Sequence, residues 1–434
     1  MIALIVTLLA ICLLLYGLYR PQHMILAYIV SLGWIPWSVG RDILGPMDLD
    51  DLLLLGAGVV ALLGSGGRSA AGPNPLQPFL VLYWVGTLIG NAVGVVMAPG
   101  HVEFILRQMF KDFGTLAFFL LLPLYFRDKR EMHALGYALL AGGIGIVATV
   151  TLQYFFPESA LAQSWQTKTV LGDIERSRIA GVANETYNAG AVLIGLASLL
   201  ISFLLFRNLF LKLIAAPGLA AVAWAVAAGQ SRATYLGVGI VVLGSSIGAA
   251  MITRARRGLL GAITIIALTV VLGLSTAFTQ RLLYRVEGAS FEQSRMIVIR
   301  RYFAELSEFA LTGCGFFYQT ITTRATAHNA YLEALFDGGL ISFFAFCGLW
   351  YPVLTSLKYI RRWQGMDLAT FSFGYAAFWA SIAFLITSFF LGFVFDNYYR
   401  VVFLLWLSFA TSPYWRSKPD EGVALRYGRG RGAI

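Results

Sequence analysis

Apolar residues run along this chain in long unbroken blocks. They cover residues 2–19, 22–40, 51–64, 77–98, 112–126, 134–156, 187–206, 210–228, 234–252, 258–277, 330–356, 370–391 and 398–412. Most are about 15 to 25 residues long, close to what a helix needs to cross a hydrocarbon core of about 30 Å. Barrel strands would read as shorter alternating segments. A backbone facing lipid must also satisfy its own hydrogen bonds, which a single helix does within itself. The pattern predicts an all-α polytopic membrane protein of about 12–13 spans. The first block lacks a small-residue cleavage site after it and reads as a retained span. Pro36 interrupts the second block and the third is short, so these are the weakest spans. No internal repeat is seen, and "GSGGRSAAGPNP" (Gly64–Pro75) reads as a flexible loop.

Composition agrees: 58% of the residues are hydrophobic and 12% charged, against roughly 25% charged in soluble domains. Cys12, Cys314 and Cys347 lie far apart, so neither a disulfide framework nor a Cys-x-x-Cys metal site is expected. The net charge of +10 changes the picture through its placement. The runs at 126–133, 206–212, 253–258 and 357–363 and the tail 416–434 alternate so that all fall on one side, the cytoplasmic side by the positive-inside rule. These charges read as topology signals with attraction to anionic lipid, and not as a nucleic-acid surface; "RYGRGRG" (Arg426–Gly432) is read the same way.

The remaining loops then face outward, and they should be poor in arginine. Instead they carry Arg176, Arg178, Arg232, Arg281, Arg285, Arg295, Arg300, Arg301 and Arg324, most of them in the long segment 278–329. An anionic ligand on that face is one explanation. The other is ion pairing with Glu287, Glu292, Glu305 and Glu308, which serves Arg300 and Arg301 equally well. Arg178 and Arg232 favour the ligand, since each lies within a few residues of a span and has little acid near it in sequence. His328 ends the same outer loop, just before an apolar helix. By spacing alone it is an interfacial residue beside Asn329, which is placed to cap that helix. Beside the arginines it is a candidate proton acceptor. Tyr331 and Glu333 could orient it, although an interfacial tyrosine is more often an anchor. Asp48 and Asp50 form an Asp-x-Asp that could hold a metal, yet acids at a helix start are expected for dipole reasons. No phosphate-cradling glycine loop and no His/Cys metal constellation is found, and no cofactor is expected.

Four stretches in order carry a resemblance. These are "RIAGVANETYNA" (178–189), "GQSRAT" (229–234), "SRMIVIR" (294–300) followed by "LTGCG" (311–315), and "AHNAYLEALFDGGLI" (327–341). Together they resemble the O-antigen ligase and polymerase superfamily of bacterial inner-membrane glycosyltransferases, over roughly residues 175–350 and with a similar helix count. The resemblance implies N-terminal membrane helices in 1–174, a ligase/polymerase-like core in 175–356 with a periplasmic loop at 278–329 containing short helices, C-terminal helices in 357–415, and a basic cytoplasmic tail. It also implies a glycan donor linked to undecaprenyl pyrophosphate, and as acceptor a lipid A core sugar or another lipid-linked glycan. On that reading His328 is the base. Arg178, Arg232 and Arg295 neutralise the leaving pyrophosphate without a metal, and Arg281, Arg285, Asn329 and Tyr331 bind substrate. The alternative from another class is a lipid-linked oligosaccharide flippase, expected to show repeats and charges buried mid-span. A scaffold without chemistry would leave the outer arginines unexplained.

Overall fold

The computed structural model describes residues 16, 19–35, 49–64, 73–159, 167–171, 174–183, 186–229, 231–253, 300, 303–304, 307–315, 329–364, 367–391 and 397–416. Its helices are α1 (Pro21–Ser31), α2 (Leu49–Gly64), α3 (Gln77–Met97), α4 (Val102–Leu121), α5 (Lys129–Phe155), α6 (Thr186–Phe206), α7 (Leu209–Gly229), α8 (Arg232–Thr253), α9 (Ala330–Gly348), α10 (Trp350–Ile360), α11 (Leu368–Thr387) and α12 (Asn397–Ala410). Seven stretches among the described residues are long and apolar enough to cross a membrane, α9 and α10 counting as one run, Ala330–Trp363. The protein is an all-α polytopic membrane protein. The expected spans at 2–19 and 258–277 lie almost wholly or wholly outside the described residues. The expected span at 22–40 is helical over Pro21–Ser31, with 36–40 again outside.

One element departs from the all-helical reading. Residues 157–186, expected only as an outer loop, contain an antiparallel hairpin of β1 (Thr167–Leu171) and β2 (Ile174–Arg178), with Thr167 opposite Arg178 and Leu171 opposite Ile174. Thr167, Thr169, Val170 and Ile174 are β-branched and suit extended backbone. Two-stranded pairing of five residues is too short to announce itself by period.

Helices α6 and α11 form the centre, each with 83% of its apolar window buried. Small residues let neighbours approach: Gly195 of α6 faces the Trp406 indole, Gly143 of α5 faces Leu196, and Ser198 Oγ donates to the Ala376 carbonyl at 2.7 Å. Helix α3 packs chiefly against α9 through Gly86 and Gly90, one turn apart, while Gly94 a turn further on meets the Cys314 carbonyl. A Cβ on Gly90 would overlap the Asp337 carbonyl oxygen, and one on Gly86 would overlap Ser342 Oγ.

The described basic runs, 126–133, 206–212 and 357–363, gather at one end of the bundle. Asp128 caps α5 in a reciprocal box with Glu131. Lys129 pairs with Asp367, the N-cap of α11, at 2.7 Å, and His133 Nε2 meets Thr370 Oγ1 at 2.8 Å. Arg207, at the end of α6, lies over Phe203 and Phe373 and donates to Tyr137 OH at 3.3 Å. Trp363 and Trp415 join the end of α10 to the end of α12. The opposite end holds the hairpin, the turn between α7 and α8, and the first residues of α9 and α12.

Two expectations follow. Gly90→Val forces the α3–α9 backbones apart and should destabilise by about 1–3 kcal/mol or more, whereas Gly100→Val, with nothing within 4 Å of a Cβ there, should be neutral. Melting temperatures in detergent check this, and equal melting of the two variants would contradict the packing. The second concerns Asp367. Burial pushes its carboxyl up, but the hydrogen bonds from Lys129 and Thr370 outweigh this and hold it below its ordinary value. A lowered folded-state value contributes stability above the unfolded carboxylate pKa of about 3.9 and loses it as pH falls through the lowered value. The melting difference between wild type and Asp367→Asn should therefore be flat down to about pH 4 and shrink below it. A difference that persists undiminished at the lowest pH would rule the carboxylate out.

Candidate functional site

At the end away from the basic runs, three chain segments that carry sequence motifs meet. Gln153, buried near the end of α5, accepts the N–H groups of Ala180 and Gly181 at 2.9 and 2.8 Å, which ties down the chain leaving β2. Gly181 has φ +59°, and a Cβ there would overlap Thr149 Oγ1, so glycine is required twice over. Two residues before this anchor, Arg178 closes β2. The Ile179 carbonyl is seated on Gly229 at the end of α7, 3.5 Å from where a Cβ would lie. Three residues further, Arg232 opens α8 with its side chain exposed. Arg178 and Arg232 thus occupy one corner. Along α8, Gly237 contacts Thr387 of α11, and the Ser388 carbonyl accepts the Ala330 N–H at 2.8 Å, which brings in the start of α9.

Helix α9 begins as its sequence predicts. The Asn329 side chain accepts from the N–H groups of Tyr331 and Leu332 at 3.0 and 3.1 Å, so Asn329 is the helix cap. Tyr331 is buried: its hydroxyl donates to the Leu385 carbonyl at 2.9 Å, accepts from Trp350 Nε1 at 2.9 Å, and its ring stacks on Phe389. Its bonds are those of a packing residue that joins α9, α10 and α11.

Below this rim α9 breaks. Gly338 and Gly339 leave helical geometry, Gly339 with φ +64°. The segment 309–315 fills the break, the Cys314 N–H donating to the Phe336 carbonyl at 2.7 Å and the Leu340 N–H to the Ala310 carbonyl at 2.9 Å. Buried ionisable groups surround it. Glu333 and Asp337, one turn apart on α9, are both 0% exposed. Arg400 of α12 forms a buried ion pair with Asp112 of α4. Asp337 interacts electrostatically with Glu333, Asp112 and Arg400, and the Tyr83 phenol of α3 with all four. Five ionisable groups from four helices therefore form one cluster under the rim. Among the described residues no three His, Cys, Asp or Glu side chains are placed to hold a metal.

Of the sequence candidates, the structure groups Arg178, Arg232, Asn329 and Tyr331 at this end. His328 adjoins Asn329 in the chain but, with Arg281, Arg285, Arg295, Arg301 and Arg324, lies outside the described residues, as does Asp48. Arg300 is described and exposed. Sequence reasoning passed over Tyr83, Asp112, Asp337 and Arg400. The signal was there for the last three: each is a charge in or at the edge of an apolar block, and such residues in membrane helices mark function by default.

Fold and cluster together define a multi-pass α-helical membrane protein with a polar interior at one end. No protein-family model matches the chain, and no characterised protein matches it in sequence.

Replacing one partner of a buried ion pair strands the other charge, which costs about 3–5 kcal/mol, whereas replacing both by apolar residues is often neutral. Arg400→Leu should therefore melt well below wild type in detergent, and Asp112→Leu/Arg400→Leu should recover most of the loss. A double variant no more stable than the single one would show that the pair is not the unit.

Proposed function

We propose that this protein transfers a glycan from undecaprenyl pyrophosphate to an acceptor sugar hydroxyl, on lipid A core or on a growing polysaccharide, at the periplasmic face of a bacterial inner membrane. One observation carries the reading: the end of β2, the α7–α8 turn and the capped start of α9 converge at the end of the bundle opposite the basic runs. Those segments bear three of the four motifs that resemble the O-antigen ligase and polymerase superfamily. With the basic end cytoplasmic, the convergent end faces outward, where lipid-linked glycans are used.

In this mechanism the acceptor oxygen attacks the anomeric carbon, the bond from that carbon to the pyrophosphate oxygen breaks, and His328 takes the hydroxyl proton. Negative charge grows on the pyrophosphate. Arg178 and Arg232 share the corner where it would lie, and planar guanidinium forks match phosphate oxygens two at a time. Arg295, Arg281 and Arg285 in the same outer loop add to that field. Charge neutralisation by arginine makes a metal unnecessary. Asn329 serves by fixing the start of α9 and with it the chain position of His328.

The broken helix and its charges favour a second reading, a lipid-linked oligosaccharide flippase. Discontinuous helices with buried carboxylates near the membrane midplane are what transporters use to bind and release their cargo.

Purified protein in proteoliposomes with a lipid-linked donor and an acceptor glycan separates the two. Covalent transfer in excess chelator is expected, falling about 10²- to 10⁴-fold in His328→Ala at unchanged abundance. Arg232→Lys, which keeps charge but loses the fork, should raise the donor concentration needed for half-maximal rate. Parental transfer by His328→Ala would end the base assignment. Donor translocation without any covalent product would establish the flippase.

A further inference from the structure

We propose that the basic end of the bundle carries a site for the headgroup of an anionic phospholipid, built on Arg362, Arg416 and Tyr359. This inference stands apart from the transfer reading. Arg362 lies in the turn Arg361–Trp363 after α10, and Arg416 ends the turn Pro413–Arg416 after α12. Both guanidinium carbons sit 5.1 Å from the centroid of the same Tyr359 ring, so they are at most twice that distance apart.

Two cations brought together from separate parts of the chain repel each other. A tyrosine face offsets only about 0.5–1 kcal/mol for each at an exposed site. Nor is the convergence an accident of loose side chains. Trp363 stacks on Tyr414 with centroids 4.8 Å apart and meets Trp415 edge-on, Trp363 Nε1 donates to the Trp415 carbonyl at 3.5 Å, and Trp415 Nε1 donates to the Phe409 carbonyl at 2.7 Å. Trp415 is 1% exposed. The residues next to each arginine are thus fixed in a packed aromatic platform. Among the described residues neither guanidinium has a carboxylate partner, and the nearby Asp367 is taken by Lys129. Helix-dipole stabilisation accounts for Lys358 in the last turn of α10 but not for Arg416 on another element.

The ligand chemistry follows from position. Arginine pairs bind phosphate bidentately, and this turn joins two membrane segments, Ala330–Trp363 and Leu368–Thr387, so it lies at headgroup level. An apolar track leads away from it. Tyr351 and Leu354, exposed and on the same face of α10 as Lys358, run from the cationic end into the membrane-spanning part. A free phosphate has no use for that track, whereas an acyl chain does.

The test uses the full-length protein in a neutral detergent, with native mass spectrometry and melting as readouts. Dioleoyl phosphatidylglycerol should remain bound at one per chain and raise the melting temperature, and dioleoyl phosphatidylcholine should do neither. Arg362→Gln/Arg416→Gln should weaken retention about tenfold or more, worth about 1.4 kcal/mol, while Arg127→Gln/Arg130→Gln at the same end should not. If the Gln pair fails to fold, Arg362→Lys/Arg416→Lys decides, since it keeps the charge and loses the forks; it should weaken retention too. The proposal is overturned by equal retention in the arginine variants, by an equal shift from phosphatidylcholine, or by inorganic phosphate alone reproducing the shift. It is also overturned if Asp420→Asn/Glu421→Gln lowers the melting temperature of wild type but not of the arginine pair, which would make tail carboxylates the occupant.

Discussion

Everything at the rim opposite the basic end hangs from the interlock at the break in α9. A helix interrupted inside an apolar bundle exposes backbone N–H and C=O groups that lipid cannot satisfy. Here the segment 309–315 supplies the partners, giving its Cys314 N–H to the Phe336 carbonyl and taking the Leu340 N–H on the Ala310 carbonyl. Glycines make the approach possible from all three sides, Gly90 on α3, Gly338 and Gly339 on α9, and Gly313 and Gly315 on the segment, where a Cβ would run into neighbouring backbone at each. The interlock fixes Glu333 and Asp337 beside the Asp112–Arg400 pair, and it pins the segment 309–315 between α3 and α9.

The two ends of the molecule are built on different physics. At the basic end, charges are spread among short turns, capped or stacked on aromatic rings, and most remain exposed. At the other end, charge is taken inside. Burying carboxylates is costly unless they are paired or protonated, and the Arg400–Asp112 pair offsets part of that cost by placing a cation among three acids. An end that carries this expense is where selection for something other than stability is to be sought.

Much of the architecture was legible in the sequence because long apolar blocks admit few structures in a bilayer. The same holds for the grouping of the described basic runs at one end and for the Asn329 cap, whose short side chain before an apolar helix has one favoured use. What escaped was whatever depends on tertiary convergence. The hairpin at 167–178 is too short for periodicity to reveal, and Gln153 has no local reason to be noticed until it binds two N–H groups from a distant turn. Asp112, Asp337 and Arg400 were visible one by one, but the outer arginines drew attention away from charges inside apolar blocks. Cys314 falls in the segment 278–329, expected as a loop, because loop sequences that plug a helix break look like any other loop.

The buried cluster also constrains how an anionic donor would sit. In the interior at the α9 break the Arg400 guanidinium is already engaged by Asp112, while Arg178 and Arg232 lie at the corner where the end of β2 meets the α7–α8 turn. If the donor is a glycan pyrophosphate, this orders the site by depth, with phosphates on the side of Arg178 and Arg232 and uncharged sugar hydroxyls toward the acids. In the transfer reading, His328 precedes by one residue the cap Asn329, whose extended backbone leads the chain into α9. On that reading the base is supplied by the residue that adjoins this cap, and the donor's pyrophosphate belongs on the side of Arg178 and Arg232, so the cap serves the chemistry by fixing where the chain enters α9.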